Sequence, residues 1–385
     1  MMGFIFSTTQ QIICEPGASA QLGEICQRLA ITHLMVVTDP GIVQLGLLDV
    51  ALASLQNQQI PYEIYSQVVA DPPESIVHEA VAQAKNIGAN GVVGFGGGSS
   101  MDVAKLVALL VCSSQSLADV YGVGNATGER LPLIQVPTTA GTGSEVTPIA
   151  IVTTGKSTKQ GVVSPILLPD VALLDANLTV GLPSGVTAAT GIDAMVHAIE
   201  AFTSVHKKNP YSDMLAKEAL HRLSTHILAA TSQGDDVLVR SEMLYGAMLA
   251  GQAFANAPVA AVHALAYPLG GHYHISHGLS NSLVLPHVLR FNLSSALSHY
   301  AELAPILDKS LAEELDPLVK ASGLISAIET LIKQVGLPTQ LRELGVEEDM
   351  LPMLAKDAML QERLLMNNPR PMTYDDALAI YQAAF

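Results

Sequence analysis

The chain has 385 residues, of which 49% are hydrophobic and only 14% are charged, and its formal net charge is −16. This length favours two domains, because a single core seldom grows beyond about 250–300 residues. The acidic balance argues against nucleic acid or an anionic membrane as a partner, and the low charged content favours a homodimer or a larger homo-oligomer. At the N-terminus no signal-peptide layout is evident, and no run reaches the roughly 18–20 apolar residues of a membrane span, so we expect a cytoplasmic protein.

Up to about residue 180 the chain alternates short β-branched runs with amphipathic stretches. The pattern predicts strands at 34–38, 62–65, 91–95 and 133–136, and helices at 41–58, 74–87 and 101–111. Alternation of this kind is typical of βαβ units on a parallel sheet, which binds ligands at the carboxyl ends of its strands.

A glycine-rich run follows the predicted strand 91–95 and extends from Gly96 to Asp102. Consecutive glycines let the backbone approach a pyrophosphate closely, and the amides of the following helix end stabilise the anion. We therefore predict a dinucleotide cradle that uses no lysine. The alternative is a tight strand-to-helix turn, because the run does not match the G-x-G-x-x-G pattern.

A second polar loop, from Pro137 to Thr147, follows the predicted strand 133–136. It carries five hydroxyl side chains around two glycines. By itself this could be a surface loop, but next to the glycine-rich run on an adjacent strand end it predicts the rim of a cofactor site.

The pattern changes after Leu182, where strand-like runs disappear and long helical periodicity begins at Pro183 and Ser184. We place the domain boundary there. The prediction is an α/β dinucleotide-binding domain at residues 1–182 and a helical domain at residues 183–385.

Four potential metal ligands lie in the predicted helical domain. Asp193 and His197 are four residues apart and share one face of a helix. His263 and His277 lie in residues 243–289, which contain no Asp, Glu, Lys or Arg. A buried imidazole must be hydrogen-bonded or metal-bound, and carboxylate with neutral imidazole suits divalent iron or zinc. The alternatives are a surface Asp–His pair and an ordinary core histidine.

Four stretches of the chain together resemble the iron-containing (group III) alcohol dehydrogenases. They are the runs Gly96 to Asp102, Pro137 to Thr147 and Gly191 to Glu200, and the segment from His263 to Gly278. The resemblance extends over roughly residues 30 to 290, and such a series of motifs is far more specific than any one of them. It implies a dehydroquinate synthase-like architecture, in which a Rossmann-like parallel α/β domain binds NAD and an all-α C-terminal domain binds metal.

The resemblance also implies roles for particular residues. The metal ligands would be Asp193, His197, His263 and His277. Contacts to NAD would come from Asp39, Gly97, Gly98, Ser99, Asp102, Thr138, Thr139, Thr142 and Lys159. Gly97, Gly98 and Ser99 would hold the pyrophosphate, and the threonines would line the nicotinamide and its ribose. Lys159 would contact a ribose, and Asp39 would bind the adenosine ribose.

The chain departs from the family pattern at two places. Where many members have a further histidine four residues after the third ligand, this chain has Tyr267, so the proton relay would be Tyr267, His274 or water. Where members often have Pro-Asn-Pro, this chain has Asp71-Pro72-Pro73.

These features predict a metal-dependent oxidoreductase that transfers hydride between a short-chain alcohol, or its aldehyde or ketone, and NAD. One divalent ion, iron with zinc as the alternative, would act as a Lewis acid on the substrate oxygen. A hydroxyacid:oxoacid transhydrogenase is a second possibility, but it needs a cationic carboxylate clamp that residues 243–289 do not offer. A dehydroquinate synthase-type lyase is a third, and it would need several Lys or Arg near the ligands.

Asp39 leads to a prediction about the choice of cofactor. A carboxylate that binds the ribose hydroxyls of NAD would repel the 2′-phosphate of NADP, so we expect selection of NAD. The alternative is that Asp39, which precedes Pro40 and Gly41, only caps the next helix.

Overall fold

The computed structural model describes residues 3–155 and 158–385. The chain divides into two compact units, one from Ser7 to Gly181 and the other from Leu182 to Phe385, which also includes the described residues before Ser7. The first unit is α/β and the second is helical, which confirms the predicted fold class. Among the described helices, none combines the length and the apolar character that a membrane span requires.

The first unit alternates strands and helices along the chain. Its elements are β1 (Gln11–Cys14), α1 (Leu22–Arg28), β2 (Leu34–Val37), α2 (Pro40–Gln44), α3 (Asp49–Asn57), β3 (Tyr62–Tyr65), α4 (Glu74–Asn86), β4 (Gly91–Gly96), α5 (Gly98–Cys112), α6 (Leu117–Val120), β5 (Gly122–Val123), β6 (Leu133–Pro137), β7 (Ile149–Thr154), β8 (Thr158–Val163) and β9 (Val171–Leu174).

Six parallel strands form the main sheet, in the order β1-β9-β6-β4-β2-β3. Every residue of β2, β4, β6 and β9 is buried, because apolar clusters cover both faces of the sheet. In β4 and β6 the paired register includes Gly96 opposite Pro137, so the loops after these two strands start side by side.

Several predicted elements differ from the observed ones. The predicted helix 41–58 is wrong as a single helix: it is two helices, α2 and α3, with left-handed Gly46 (φ 67°) between them. The helix predicted at 101–111 begins earlier, at Gly98, so part of the glycine-rich run forms its first turn. The small sheet β5-β8-β7, with its antiparallel pair β7 and β8, was not predicted.

The second unit consists of helices. They are α7 (Ser184–Thr203), α8 (Pro210–Ser232), α9 (Val237–Asn256), α10 (Ala261–Tyr273), α11 (His277–Leu307), α12 (Pro317–Gln334), α13 (Leu351–Ala358), α14 (Glu362–Leu365) and α15 (Tyr374–Ala384). Helix α7 packs against α8, α9 and α11 and is buried on all sides from Gly191 to Thr203. Polar side chains in that stretch therefore face protein and not bulk water.

Candidate functional site

The four predicted metal ligands meet inside the helical unit. Asp193 and His197 lie on α7, His263 lies on α10, and His277 is the first residue of α11. One ligand atom from each residue lies within 4.8 Å of the other three. Atoms bound to one ion at about 2.0–2.2 Å lie at most about 4.4 Å apart, so small side-chain movements are enough for a single ion to engage all four. The donor set and its spacing therefore fit a divalent metal.

Burial differs among the four ligands. The side chains of Asp193, His197 and His263 are buried, whereas 37% of the His277 side chain is exposed. The His197 ring stacks between the rings of Phe254 and His263, with centroid distances of 4.4 and 4.7 Å. These contacts fix the ring planes of two ligands, while His277 lies at the more open side of the cluster.

Glu200 orients one of the histidines. Its Oε2 lies 2.7 Å from Nδ1 of His263, and its Oε1 accepts a hydrogen bond of 2.7 Å from the backbone N–H of Val262. When Nδ1–H donates to this carboxylate, Nε2 of His263 keeps its lone pair for a metal. Glu200 was not predicted from the sequence. Its signal was the spacing Asp193, His197, Glu200, which is i, i+4, i+7 on one helix face.

Asp193 is held in its ionised form. Burial raises the pKa of its carboxyl, but the neighbouring His277, His197 and His263, together with a hydrogen bond from Asn281, outweigh burial and leave the pKa below its usual value. The carboxylate is the form that binds a metal.

The two predicted relay residues occupy different positions. Tyr267 lies on α10, half-buried, with its ring centroid 6.1 Å from that of His277. His274 is exposed and ends α10 in a left-handed conformation with φ 54°. Proximity favours Tyr267, and a relay role for either residue stays a prediction.

The two predicted cofactor loops are neighbours in the α/β unit, as expected from the sequence. The N–H of Thr138 donates to the carbonyl of Gly96 at 2.9 Å. A Cβ atom at Gly98 would lie 2.9 Å from Cγ2 of Thr142, so glycine is what allows the loops to pack this closely. Gly97 precedes α5 and has no side chain that could cap it, which leaves first-turn amides available to an anion.

Asp102 and Lys105 attach α5 to the second loop. Oδ1 of Asp102 accepts from the hydroxyl of Ser144 at 2.6 Å, and its Oδ2 accepts from the N–H of Ile151 at 2.9 Å. Nζ of the fully buried Lys105 donates to the Ser144 hydroxyl, to the Thr147 hydroxyl and to the carbonyl of Ile149 at 2.7–3.1 Å. Asp102 thus acts as an internal anchor, and a direct contact with NAD stays a prediction. Lys105 was not singled out from the sequence.

Asp39 caps a helix. Its Oδ1 accepts from the N–H groups of Gly41 and Ile42 at 2.9 and 3.1 Å, at the start of α2. Its Oδ2 faces the start of the glycine-rich run, because a Cβ atom at Gly96 would lie 3.3 Å from it. The capping role is therefore observed, and the second oxygen is directed toward the cofactor loop. The ribose contact stays a prediction.

Lys159 forms an ion pair with Asp71. Lys159 lies on β8 opposite Thr153 of β7, and the Thr153 hydroxyl donates to the carbonyl of Asp71 at 2.9 Å. The side chain of Lys159 is thus paired with a carboxylate. Its contact with a ribose, which the resemblance implies, stays a prediction.

Two family models match the chain, and together they cover both units. One is described as iron-containing alcohol dehydrogenase and matches residues 9–176; the other is described as the C-terminal part of the Fe-containing alcohol dehydrogenase family and matches residues 187–385. The chain belongs to the iron-containing alcohol dehydrogenase family.

Individual relatives are similar to this chain over nearly its whole length. Long-chain-alcohol dehydrogenase 1 of Geobacillus thermodenitrificans is 42% identical over 374 residues, which is 96% of this chain and 93% of the relative. A crystal structure of 1,3-propanediol oxidoreductase superposes with a TM-score of 0.96 at 34% identity, covering 100% of both chains. Sulfoacetaldehyde reductase from Bifidobacterium kashiwanohense, in complex with NAD⁺, superposes with a TM-score of 0.89 at 27% identity, covering 100% of this chain and 99% of the other. The names agree on alcohol or aldehyde chemistry and differ in the substrate.

Proposed function

We propose that this chain interconverts a short-chain alcohol and its aldehyde or ketone, with NAD as the hydride carrier. The reaction would use one divalent metal, for which iron is the first candidate and zinc the second. The observation that carries the proposal is the cluster of one carboxylate and three imidazoles, three of them buried and His277 partly exposed, with ligand atoms within 4.8 Å of one another, in a member of this family. The ligand types suit both metals, so the preference for iron rests on the family.

Residues of both units have proposed roles in the reaction. The metal would be held by Asp193, His197, His263 and His277, and when bound it supplies a Lewis acid for the substrate oxygen.

The cofactor would be bound by the α/β unit. The pyrophosphate of NAD would contact Gly97, Gly98 and Ser99, and its nicotinamide half would be lined by Thr138, Thr139 and Thr142. Asp39 and Lys159 would contact the riboses, with Asp102 and Lys105 holding the threonine loop in place. Tyr267 would carry the alcohol proton toward solvent, because its ring lies beside the most exposed ligand.

The two other activities have less support. A transhydrogenase for hydroxyacids or a lyase for a phosphorylated acid would need cations around the ligands, and residues 243–289, which supply two of the four ligands, contain no Lys or Arg. A cytoplasmic location and a homo-oligomeric state remain predictions.

The test is NADH formation with a panel of alcohols, before and after metal removal. We expect turnover of short primary alcohols or diols with the iron-loaded chain, loss after chelation, and recovery when iron is added anaerobically or zinc is added. Asp193→Asn should lose turnover, whereas Asp235→Asn, a change at an exposed aspartate, should not. Turnover that survives complete chelation would refute the metal's role, and exchange between two acids without added NAD would favour the transhydrogenase.

A further inference from the structure

Asn281 lies at the centre of the metal cluster. It is fully buried on α11, one turn after His277. Its Nδ2 lies 2.5 Å from Oδ1 of Asp193 and 3.3 Å from Nε2 of both His263 and His277. One amide nitrogen therefore touches three of the four ligand residues, at the atoms that would bind a metal.

The two ends of the Asn281 amide differ in their hydrogen bonding. Its Oδ1 is buried and has no hydrogen-bond partner among the described residues. A buried carbonyl oxygen without a donor lowers stability, because it loses its hydrogen bonds to water and gains none in return. Its NH₂ group, in contrast, has more acceptors within reach than it has hydrogens. An NH₂ group with several acceptors within reach can hold the side chains of those acceptors in place.

The three acceptors differ in what they need. The Asp193 carboxylate is charged, so its 2.5 Å bond to the amide is the strongest of the three. An imidazole that keeps a lone pair on Nε2 for a metal can accept a hydrogen bond from the Asn281 amide there while no metal is bound. A neutral amide donates this hydrogen bond without adding charge. The hydrogen bonds to the two imidazoles are broken when an ion binds the Nε2 lone pairs.

We propose that Asn281 is a positioning residue of the metal centre, whose amide nitrogen gathers Asp193, His263 and His277 into one ligand set before the ion binds. This inference rests on the metal site of the proposed function. After binding, the amide keeps its hydrogen bond to the Asp193 carboxylate and thereby fixes the orientation of that ligand.

The test compares Asn281→Leu, Asn281→Asp and the control Asn292→Leu in metal binding and stability. Asn292 is a second buried asparagine on α11, and it exchanges two 2.8 Å hydrogen bonds with Asn368. Zinc and cobalt affinities are measured by competition with a chromophoric chelator, and stability is measured by denaturant unfolding of the metal-free chain.

We expect Asn281→Leu to weaken metal binding roughly 10- to 100-fold while leaving metal-free stability unchanged or higher, because the apolar side chain removes a buried oxygen without a partner. Asn281→Asp should also weaken binding, because the donor is lost. Asn292→Leu should show the opposite pattern, with lower stability and parental affinity.

Three outcomes would overturn the inference. Parental affinity in Asn281→Leu would show that the amide does not position the ligands. Lower stability with unchanged affinity would make Asn281 a structural residue only. Weaker binding in Asn281→Leu but tighter binding in Asn281→Asp would show that metal binding does not need a hydrogen-bond donor at this position. If Asn281→Leu does not fold, Asn281→Ala takes its place. Failure of the parent chain to bind metal would instead refute the proposed function.

Discussion

At the scale of single residues, the two oxygens of the Asp39 carboxylate face different groups. Asp39 caps α2 with one oxygen and directs the other toward the glycine-rich run. A test of cofactor choice must therefore separate the charge of Asp39 from its capping role. Asparagine is also a good N-cap residue, so Asp39→Asn removes the charge and keeps the cap, whereas Asp39→Gly removes the side chain entirely.

We expect Asp39→Asn to raise kcat/KM for NADP at least about tenfold relative to NAD, which corresponds to about 1.4 kcal/mol of relieved repulsion. Its unfolding free energy should stay close to that of the parent. Asp39→Gly should show the same change in cofactor preference together with some loss of stability. An unchanged NADP to NAD ratio in both variants would leave Asp39 as a capping residue only.

Glu145 is a buried acid in the second loop. Burial raises the pKa of its carboxyl to about 7, although a hydrogen bond from its own backbone and the charge of Lys105 act in the opposite direction. Between the ordinary pKa and the raised one, the folded chain keeps a proton that the unfolded chain has released. This contribution to stability is fully present below the ordinary pKa and is lost as the pH rises through about 7.

Glu145→Gln should remove that dependence. We expect the unfolding free energy of the parent, relative to this variant, to fall by about 3 kcal/mol or less between about pH 5 and pH 8. Denaturant unfolding at several pH values measures it, and Glu24→Gln, at an exposed position on α1, serves as the control. Equal pH dependence in the parent and in Glu145→Gln would contradict the assigned burial effect.

At the scale of elements, the metal ligands depend on how closely α11 approaches α7. A Cβ atom at Gly278 would lie 2.4 Å from the carbonyl oxygen of Ala189 and 3.2 Å from Cβ of Asp193. Any larger residue at Gly278 must push the two helices apart, right next to His277. The distance between ligands on α7 and α11 should increase as a result.

Gly278→Ala should therefore lower both metal content and stability, the latter by about 1–3 kcal/mol. Gly185→Ala is a matched control on α7, since nothing lies within 4 Å of a Cβ atom there. The control should keep its metal and gain up to about 1 kcal/mol, because alanine favours the helix. If Gly278→Ala matches Gly185→Ala in both measurements, the close helix contact does not support the site.

Secondary structure was predictable where the local pattern decided it. The β-branched runs of β2, β3, β4 and β6 are strands as predicted. Strands β1 and β9 were missed because four-residue runs without alternation do not distinguish strand from helix. The break in 41–58 depends on one left-handed glycine, Gly46, whose conformation the hydrophobic pattern does not reveal.

The residues of the candidate site were also only partly predictable from the sequence. Its four ligands were predictable because they combine metal-binding residue types with recognisable motifs. Glu200, Asn281 and Lys105 were missed because their partners lie far along the chain: Glu200 is 63 residues from His263, Asn281 is 88 from Asp193, and Lys105 is 39 from Ser144. Tertiary packing alone creates these contacts. A polar residue in a buried helix is a sequence signal that something must satisfy it, but it does not say what.

At the scale of the whole molecule, the metal ligands and the predicted NAD contacts belong to different compact units. All four ligands lie in the helical unit that begins at Leu182, and every predicted cofactor residue lies between Ser7 and Gly181. Loss of the metal should therefore stop the reaction without removing the cofactor site. His277 is the best position for this test, because its side chain is partly exposed and its loss leaves no large buried cavity.

The most direct measurement is the metal content of purified His277→Ala, determined on the same sample as its NAD affinity and its alcohol turnover. We predict strongly reduced metal, NAD binding close to that of the parent, and no detectable alcohol oxidation. A fully metal-loaded and active His277→Ala chain would contradict the account.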